Sequence, residues 1–498
     1  MVRIATGTTT PEYNNDPPFH PDTSYPELPY TEYPPHPNHP YRLLRDLLHR
    51  LGYDNERYGS PQWNPLGSII HPGQTVLLKP NLVLSFNSSG NDLFSVVTHP
   101  SILRALIDYV FIALKGTGRI IITDAPQMDC NWDQLMAALR LDSIQSFYHK
   151  KFGFDIEIYD LRNFALKDPT IPAYSSNRES RPGDPLGSVI INLGEQSRFY
   201  GLPGGDYYGA DYDRRETIRH HHGAIHEYCV SRTVLSADVF ISVPKMKVHK
   251  KVGVTLNLKG LVGINTNKNY LIHYRLGTPG SGGDQLPDNQ ARADRLFTKA
   301  RGWLYDHAMA RQDRWGDLAY KTSLALYRNL IESIRGISEQ TSICDAGNWY
   351  GNDSAWRMTA DLARIITFAD SEGKIRDTAQ RKFFCVVDGI IGGENNGPLS
   401  PTAKACGCLV AGENPLAVDM VTARLMGFDI HKLRQFGLMN GSGWHFPSPG
   451  EIEVLMDGEK LSAGELFDPR NKNPMFGFKP HPGWVGHIEV QPEKGGQQ

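Results

Sequence analysis

The chain has 498 residues, of which 40% are hydrophobic and 21% charged, and its formal net charge is −2. This composition supports a large buried core and excludes extensive disorder, and the near-neutral charge gives no global attraction to nucleic acid or to an anionic membrane. No apolar run reaches the roughly 18 residues that span a bilayer, and the first residues lack the apolar stretch of a signal peptide, so we expect a cytoplasmic protein.

The N-terminal region, residues 1–65, begins with an arm in which ten of the 34 prolines fall within residues 11–40. Because proline fixes φ and removes a backbone donor, we expect an extended arm that wraps the surface or contacts a protein partner, with a solvated arm as the alternative. Leucines spaced between residues 43 and 51 predict a short amphipathic helix after it.

Residues 66–264 have the pattern of the first part of an α/β core. A buried strand at 75–78, a helix at 101–114 and a strand at 120–123 predict a βαβ unit, which implies parallel pairing. Further strands are predicted at 155–160, 188–193 and 238–243.

Residues 265–350 interrupt this pattern, because 277–288 is rich in glycine and proline and 291–335 is helical in character. We interpret them as an insertion that covers the site as a lid would. The core resumes over 351–435 with helices at 358–369 and 417–426 and strands at 383–387 and 406–411. Residues 436–498 form a small tail with strands at 451–456 and 486–490. The predicted fold class is α/β, with a mostly parallel sheet flanked by helices.

Several predicted strands end in charged or amide residues. Lys79 and Asn81 follow the first strand of the core, Asp124 follows the second, Lys245 follows the strand at 238–243, and Asp388 follows the strand at 383–387. Ligands of open parallel sheets bind beyond the carboxyl ends of the strands. We therefore expect these groups to meet at one rim and to bind a small phosphorylated or carboxylated substrate.

Residues 244–249, with the sequence Pro-Lys-Met-Lys-Val-His, are the densest in such groups. Lys245, Lys247 and His249 alternate, so an extended backbone points them to one side and forms a surface for an anion. Lys247 and His249 are the predicted catalytic residues together with Asp388, and a solvated strand edge is the alternative. The run that follows, 253–265, has a single charge, Lys259, which needs a partner or a bound anion.

Residues 388–398 are rich in glycine and are predicted to form a loop. The acids Asp388 and Glu394 within it are candidates for a base, and Glu394 and Asp124 are candidate Mg²⁺ ligands. No Gly-Lys-Ser/Thr follows, which excludes a Walker A loop. The histidines 220–222 with His226 and Glu227 are a second candidate metal site.

Position alone suggests three further substrate contacts. His99 directly precedes a predicted helix, whose N-terminus attracts anions. His273 and Arg275 precede the glycine-rich part of the insertion, where a lid closes onto substrate.

The six cysteines form no Cys-x-x-Cys pair. Neither an iron–sulfur cluster nor a zinc ribbon is therefore expected, and the number is typical of a reduced cytosolic protein.

Residues 78–82, 242–265, 387–398 and 411–419 resemble the DUF362 proteins, a family named for its lack of an assigned function. The most specific segment is Lys-x-Lys-x-His with the Gly-Val-Thr-Leu-Asn-Leu-Lys run that follows it. The resemblance spans roughly residues 70–430 and implies an α/β domain. The residues at matching family positions are Lys79, Lys245, Lys247, His249, Lys259, Asp388 and Asp419. Asp419 is a further candidate Mg²⁺ ligand. Some relatives carry cysteine-rich ferredoxin segments, which this chain lacks. The stretch from the Asn-Lys-Asn-Tyr run at 267–270 through Asp284 resembles a longer subgroup of the family.

Three functions are consistent with these features. The first is an enzyme of small-molecule or glycan-precursor metabolism that acts by group transfer or by racemase-type proton transfer, with lysines holding the anion and His249 moving a proton. The second is a non-catalytic ligand-binding or assembly protein. The third is a redox protein, which the absence of ferredoxin cysteines disfavours.

Overall fold

The computed structural model of the chain describes residues 1–34, 36–168, 177–202, 206–209, 214–290, 298–300, 302–303, 315, 318, 322, 343–437, 447–457, 459–468, 470–471 and 476–490. Its strands are β1 Val2–Thr8, β2 Thr75–Pro80, β3 Arg119–Asp124, β4 Ile156–Asp160, β5 Phe164–Leu166, β6 Arg178–Ser180, β7 Ser188–Asn192, β8 Tyr207–Tyr208, β9 His221–His222, β10 Ile225–Ser231, β11 Val239–Val243, β12 Lys245–His249, β13 Gly253–Val254, β14 Tyr274–Arg275, β15 Lys382–Glu394, β16 Thr402–Gly412, β17 Ile452–Met456 and β18 Glu459–Ser462.

The α-helices are α1 His39–Arg50, α2 Pro100–Leu114, α3 Trp132–Leu139, α4 Leu141–Phe152, α5 Arg214–His220, α6 Arg232–Leu235, α7 Leu256–Gly260, α8 Ala355–Phe368, α9 Pro415–Met426, α10 Arg434–Gly437 and α11 Ala463–Phe467. Short 3₁₀ turns lie at Asn55–Arg57, Leu93–Ser95, Gly194–Gln196, Leu261–Ile264, Lys268–Tyr270, Pro279–Ser281, Asp345–Gly347, Ile430–Lys432, Pro449–Glu451 and Pro482–Trp484. No helix in these described ranges is long and apolar enough to cross a membrane.

One large sheet organises the fold, with the strand order β18-β17-β1-β16-β15-β11-β2-β3-β4. Every strand of this path except β16 and β18 runs in the same direction. Strand β12 pairs in parallel with the later part of β15 and antiparallel with β13. The sheet is therefore mixed but mostly parallel, which confirms the predicted α/β class.

Both faces of this sheet are covered, as parallel sheets require. Val76 and Leu78 of β2 belong to one hydrophobic cluster, and Leu77 between them belongs to the other. The first cluster is closed by residues of α1, α2 and α4 and the second by residues of α8 and α9. A continuous apolar run such as that in β2 is typical of strands buried on both faces.

Most of the predicted core elements are confirmed. The strands at 75–78, 120–123, 155–160 and 238–243 correspond to β2, β3, β4 and β11, and the helices at 101–114, 358–369 and 417–426 to α2, α8 and α9. Helix α2 starts where predicted because Pro100 takes the first turn and His99 caps it, its side chain accepting the Ser101 N–H.

Other elements differ from the prediction. The strand at 188–193 is β7, which lies in a separate three-stranded sheet with β10 and β9. Of the two strands predicted in the tail, the one at 451–456 is confirmed as β17, which joins the main sheet beside β1, and the one at 486–490 is wrong, because Glu489 forms only an isolated bridge with Phe428. Strand β1 was not predicted, and its place between β16 and β17 depends on partners far away in the chain.

The proline-rich arm packs onto the core. Phe19, Leu28 and Tyr30 are each under 10% exposed, and the Tyr30 hydroxyl donates to Asp108 of α2 at 2.5 Å. The solvated alternative is therefore wrong for the arm. Its prolines keep the backbone extended, and aromatic side chains between them supply the buried surface.

The segment at 388–398, predicted as a loop, continues strand β15 as far as Glu394. Its glycines allow other segments to approach closely: a Cβ at Gly393 would lie 2.6 Å from the Ser95 carbonyl oxygen, and one at Gly397 would lie 2.2 Å from the Val248 carbonyl oxygen. Glycine here serves strand packing, which has the same sequence signature as a loop.

The predicted helix at 291–335 lies largely outside the described residues. The two longest described parts of the insertion, 265–290 and 343–350, pack beside β12 and α7 and contribute residues to the cavity described next.

Candidate functional site

A cavity of about 510 Å³ opens where the carboxyl ends of β2 and β3 meet strand β12 and helix α7. We call it the lysine cavity, because its lining includes six lysines: Lys79, Lys247, Lys250, Lys251, Lys259 and Lys268. His249 and His273 also line it, and the carboxylates in the lining are Asp124 and Asp345. The position agrees with the rule that ligands bind beyond the carboxyl ends of parallel strands.

Lys79 and Asp124 form a buried ion pair within this lining. The distance from Nζ to Oδ1 is 2.9 Å, and each side chain is under 5% exposed. Asp124 Oδ2 also accepts the Leu82 N–H at 2.7 Å, which fixes the chain after β2. A Cβ at Gly263 would lie 1.7 Å from Asp124 Oδ1. Only glycine therefore allows the turn Leu261–Ile264 to pack against this ion pair. Asp124 is therefore already used to neutralise one lysine.

Lys247 directs its ammonium group at two neutral acceptors. Nζ donates to the carbonyl oxygens of Val96, at 2.7 Å, and Pro398, at 3.1 Å. Burial and the neighbouring charge of Lys245 lower the pKa of Lys247 to about 7. A negative ligand would offset both effects.

Lys251 and Lys268 are held in the same manner as Lys247. Lys251 donates to the carbonyl of Ala346 and, at 3.0 Å, to Asn348 Oδ1. Lys268 donates to the carbonyls of Val262 and Asn265, at 2.9 and 3.2 Å. Burial and the adjacent Lys250 hold the pKa of Lys251 well below its ordinary value.

The imidazole of His249 is held in one tautomer. Nδ1 accepts the Lys251 N–H at 3.0 Å, so the proton of the neutral ring lies on Nε2. Burial, followed by the charge of Lys259, lowers the pKa of His249 well below its ordinary value, so the ring is neutral at pH 7. A neutral ring with a proton on Nε2 donates a hydrogen bond to an anion and offers no lone pair there for a base. This geometry favours an anion-binding role over the proton transfer expected from the sequence.

Lys259 and His273 face each other across the cavity wall. Lys259 Nζ lies 3.5 Å from His273 Nε2, and His273 Nδ1 lies 3.3 Å from the carbonyl oxygen of Leu271. Because a carbonyl only accepts, the ring proton lies on Nδ1 and the Nε2 lone pair faces the ammonium group. Burial, followed by Lys268 and Lys79, lowers the pKa of Lys259 to about 7.

Lys245 and Asp388 lie outside this lining. They are fully buried and form their own ion pair, with 2.7 Å between Nζ and Oδ2. Tyr13 of the arm accepts from Lys245 and donates to Asp388, each at 2.7 Å. The expectation that Lys245 binds the anion and that Asp388 faces it is therefore not met, because the two charges neutralise each other under the arm.

A comparison with protein-family models found one family that matches this chain. The model of a domain of unknown function, DUF362, matches residues 180–424. The chain belongs to the DUF362 family. Comparisons with curated proteins and with solved structures found no match. The DUF362 match is shorter than the span of 70–430 expected from the sequence: it contains Lys247, His249 and Lys259 but begins after Lys79 and Asp124.

Only some of the predicted substrate-binding residues line the lysine cavity. Lys79, Asn81, Lys259 and His273 line the lysine cavity. His99 lies outside the lining, where its ring caps α2 and stacks on Tyr13 with 3.9 Å between ring centroids. Arg275 also lies outside it and pairs with Asp353 at 3.1 Å. Local sequence cannot distinguish a cap or an ion pair from a ligand contact.

The predicted Mg²⁺ ligands do not come together. Asp124 pairs with Lys79, Glu394 pairs with Lys404 at 3.1 Å, and Asp419 accepts from the backbone N–H groups that start α7. In the part of the chain that the structure describes, no three His, Cys, Asp or Glu side chains are placed to hold a metal ion. That finding covers the histidines at 220–222 and also His226 and Glu227.

Sequence patterns gave no sign of several lining residues. Tyr208 and Tyr274 stack in parallel, with 5.0 Å between ring centroids, and both line the cavity. They lie in short strands, β8 and β14, that pair only in the folded chain. Lys268 belongs to the Asn-Lys-Asn-Tyr run, which gave a family signal but no chemical one.

Proposed function

We propose that the protein is an enzyme that binds a small phosphorylated or carboxylated molecule in the lysine cavity and catalyses proton or group transfer on it. The observation that carries this proposal is the excess of positive charge in the lining. Six lysines line the cavity, and of its two lining carboxylates Asp124 is already paired with Lys79. Buried like charges repel one another, and a bound anion is the ordinary way to neutralise them.

The local geometry favours an oxyanion as the ligand. His249 has Nε2–H left for a ligand, and no described oxygen acceptor lies within hydrogen-bond distance of the Lys250 ammonium group. At an effective dielectric constant near 20, each charge pair at 4 Å contributes about 4 kcal/mol. The volume of about 510 Å³ leaves room for more than a phosphate group.

Two lysines favour catalysis over simple binding. The pKa of Lys247 and of Lys259 is lowered to about 7, which places their amines near the optimum for proton transfer at neutral pH.

The binding part of the proposal is tested by isothermal titration calorimetry with inorganic pyrophosphate at low ionic strength. We expect binding by the unmodified protein, and a Kd about 10- to 100-fold weaker in Lys250→Met, because one charge-assisted hydrogen bond contributes about 1.5–3 kcal/mol. Lys374→Met, at an exposed lysine away from the cavity, is the matched control and should bind normally. Absence of binding, or equal affinity in Lys250→Met and in the control, contradicts the proposal.

A further inference from the structure

Lys259 differs from the other lysines of the cavity in what its nitrogen contacts. Lys79 has a carboxylate, and Lys247, Lys251 and Lys268 each have two oxygen acceptors. Within the described ranges the Lys259 ammonium group has no oxygen acceptor, and its hydrogen-bond contact is the imidazole nitrogen of His273 at 3.5 Å. With one long contact and no oxygen acceptor, the charged form of Lys259 is stabilised less by hydrogen bonds than that of the other four lysines, which favours the free amine.

We propose that Lys259 is a covalent nucleophile that forms a Schiff base with an aldehyde or ketone carrying a phosphate or carboxylate group. The inference rests on the proposed function, because the anionic group of the ligand is held by the other lysines of the cavity. It adds the chemical class of the substrate, a carbonyl compound, and assigns the residue that reacts with it.

The position of Lys259 suits this role. It lies on the short helix α7, whose start is fixed by Asp419: the carboxylate accepts the N–H groups of Asn257 and Leu258, both at 2.9 Å. The Lys259 residue is 7% exposed and lines the cavity, so the amine is shielded from bulk water but reaches the ligand. Desolvation and neighbouring cations are the two conditions that activate a lysine as a nucleophile.

Lys250 is the other lysine of the cavity without a described oxygen acceptor, but it is less deeply buried than Lys259. Its ammonium group has no described hydrogen-bond partner, and burial lowers its pKa. Lys259 has the lone pair of His273 Nε2 beside it, with the ring proton held on Nδ1 by Leu271. The structure therefore distinguishes an anion-binding lysine from a nucleophilic one.

The reaction balances without another reagent. Lys259, whose pKa is about 7, releases one proton to solvent water, and the freed lone pair attacks the carbonyl carbon as the C–O π bond breaks. The oxygen then takes one proton from the attacking nitrogen and one from solvent and leaves as water, so the ammonium group and the carbonyl compound become an iminium ion and water. The iminium withdraws electrons from the adjacent carbon, so it assists removal of a proton or of a carbon substituent from that atom.

The test uses pyridoxal 5′-phosphate as a probe, because it combines an aldehyde with a phosphate. The full-length protein is incubated with the probe at pH 7.5, reduced with borohydride, digested and mapped by mass spectrometry. We expect the reduced adduct on Lys259 to form at least about tenfold faster than on exposed Lys374. With a pKa of about 7, roughly half of Lys259 is free amine at neutral pH, against well under 1% of an ordinary lysine. Pyrophosphate should compete with the labelling.

Two variants complete the design. His273→Gln offers the Lys259 ammonium group an oxygen acceptor, which favours the charged form, and should slow labelling of Lys259. Lys250→Met should weaken capture of the phosphate and leave Lys259 as the labelled residue. Peptide mapping of the unmodified protein tests whether Lys259 is the nucleophile even if a variant misfolds. Labelling of Lys250 or Lys374 in preference to Lys259, or no labelling of Lys259 in protein that binds pyrophosphate, overturns the nucleophile and leaves the proposed function standing. Failure of pyrophosphate to bind overturns the proposed function itself.

Discussion

Charge repulsion in the lysine cavity makes the stability of the ligand-free protein depend on pH in an unusual direction. The folded-state pKa of Lys247 and Lys259 is about 7, against about 10.4 in the unfolded chain. Between these values the unfolded state binds about one more proton per lysine, so the free energy of unfolding rises with pH. Each lysine contributes about 1.4 kcal/mol per pH unit, and the two together about 2.7.

Substitution isolates one of the two contributions. Lys259→Met keeps the length and apolar volume of the side chain and removes the charge, so the slope between about pH 8 and 9.5 should fall by about 1.4 kcal/mol per unit. Replacing a buried charge with a packed apolar group also stabilises, and we expect Lys259→Met to be more stable than the unmodified protein at pH 7 by about 1–4 kcal/mol. Most substitutions destabilise, so the sign is diagnostic.

Urea unfolding at constant ionic strength, in buffers without phosphate or sulfate, measures this slope. The window ends below about pH 10 because buried tyrosines such as Tyr13, whose pKa is raised, then reduce stability. Pyrophosphate should flatten the curve of the unmodified protein, because a bound anion returns the lysine pKa values toward 10.4. Lys374→Met should leave the slope unchanged. Parallel curves for the unmodified protein and Lys259→Met would refute the charge-repulsion argument.

Three further substitutions test the contacts around the site. Asp124→Asn should lower the free energy of unfolding by about 3–5 kcal/mol because it leaves a buried lysine unpaired, and adding Lys79→Met should restore part of the loss in the same urea assay. Gly263→Ala should destabilise the protein and abolish pyrophosphate binding in calorimetry, because its Cβ would lie 1.7 Å from Asp124 Oδ1. Gly260→Ala is the control and should be tolerated, because its Cβ would lie 3.6 Å from the nearest atom, Asn81 Oδ1. Tyr13→Phe should lower the free energy of unfolding by about 1–3 kcal/mol, measured by thermal unfolding, because the buried Asp388 carboxylate and Lys245 ammonium group lose a shared partner. An unchanged melting temperature would mean that the arm does not hold this pair.

The parallel part of the fold was predictable because its signals are local. Strands β2, β3 and β11 are short apolar runs, and α2 begins at a proline and a capping side chain adjacent in sequence. Periodicity and capping depend on neighbours within a few residues, so they can be detected without knowing the rest of the structure. The same holds for the lysine-rich segment in β12 and for the lone charge at Lys259.

The partner of each charged group was decided only by the tertiary structure. Nothing near Lys245 in sequence indicates that Asp388 and Tyr13 neutralise it, nor that Lys79 meets Asp124 while Lys259 meets an imidazole. These partners lie tens to hundreds of residues apart, and their encounter depends on strand order and on close approaches that single glycines permit. The sequence by itself determined which residues carry charge and that a parallel sheet would form. The folded chain determined which of those charges remain for a ligand, because the strength of a buried charge depends on what surrounds it in space.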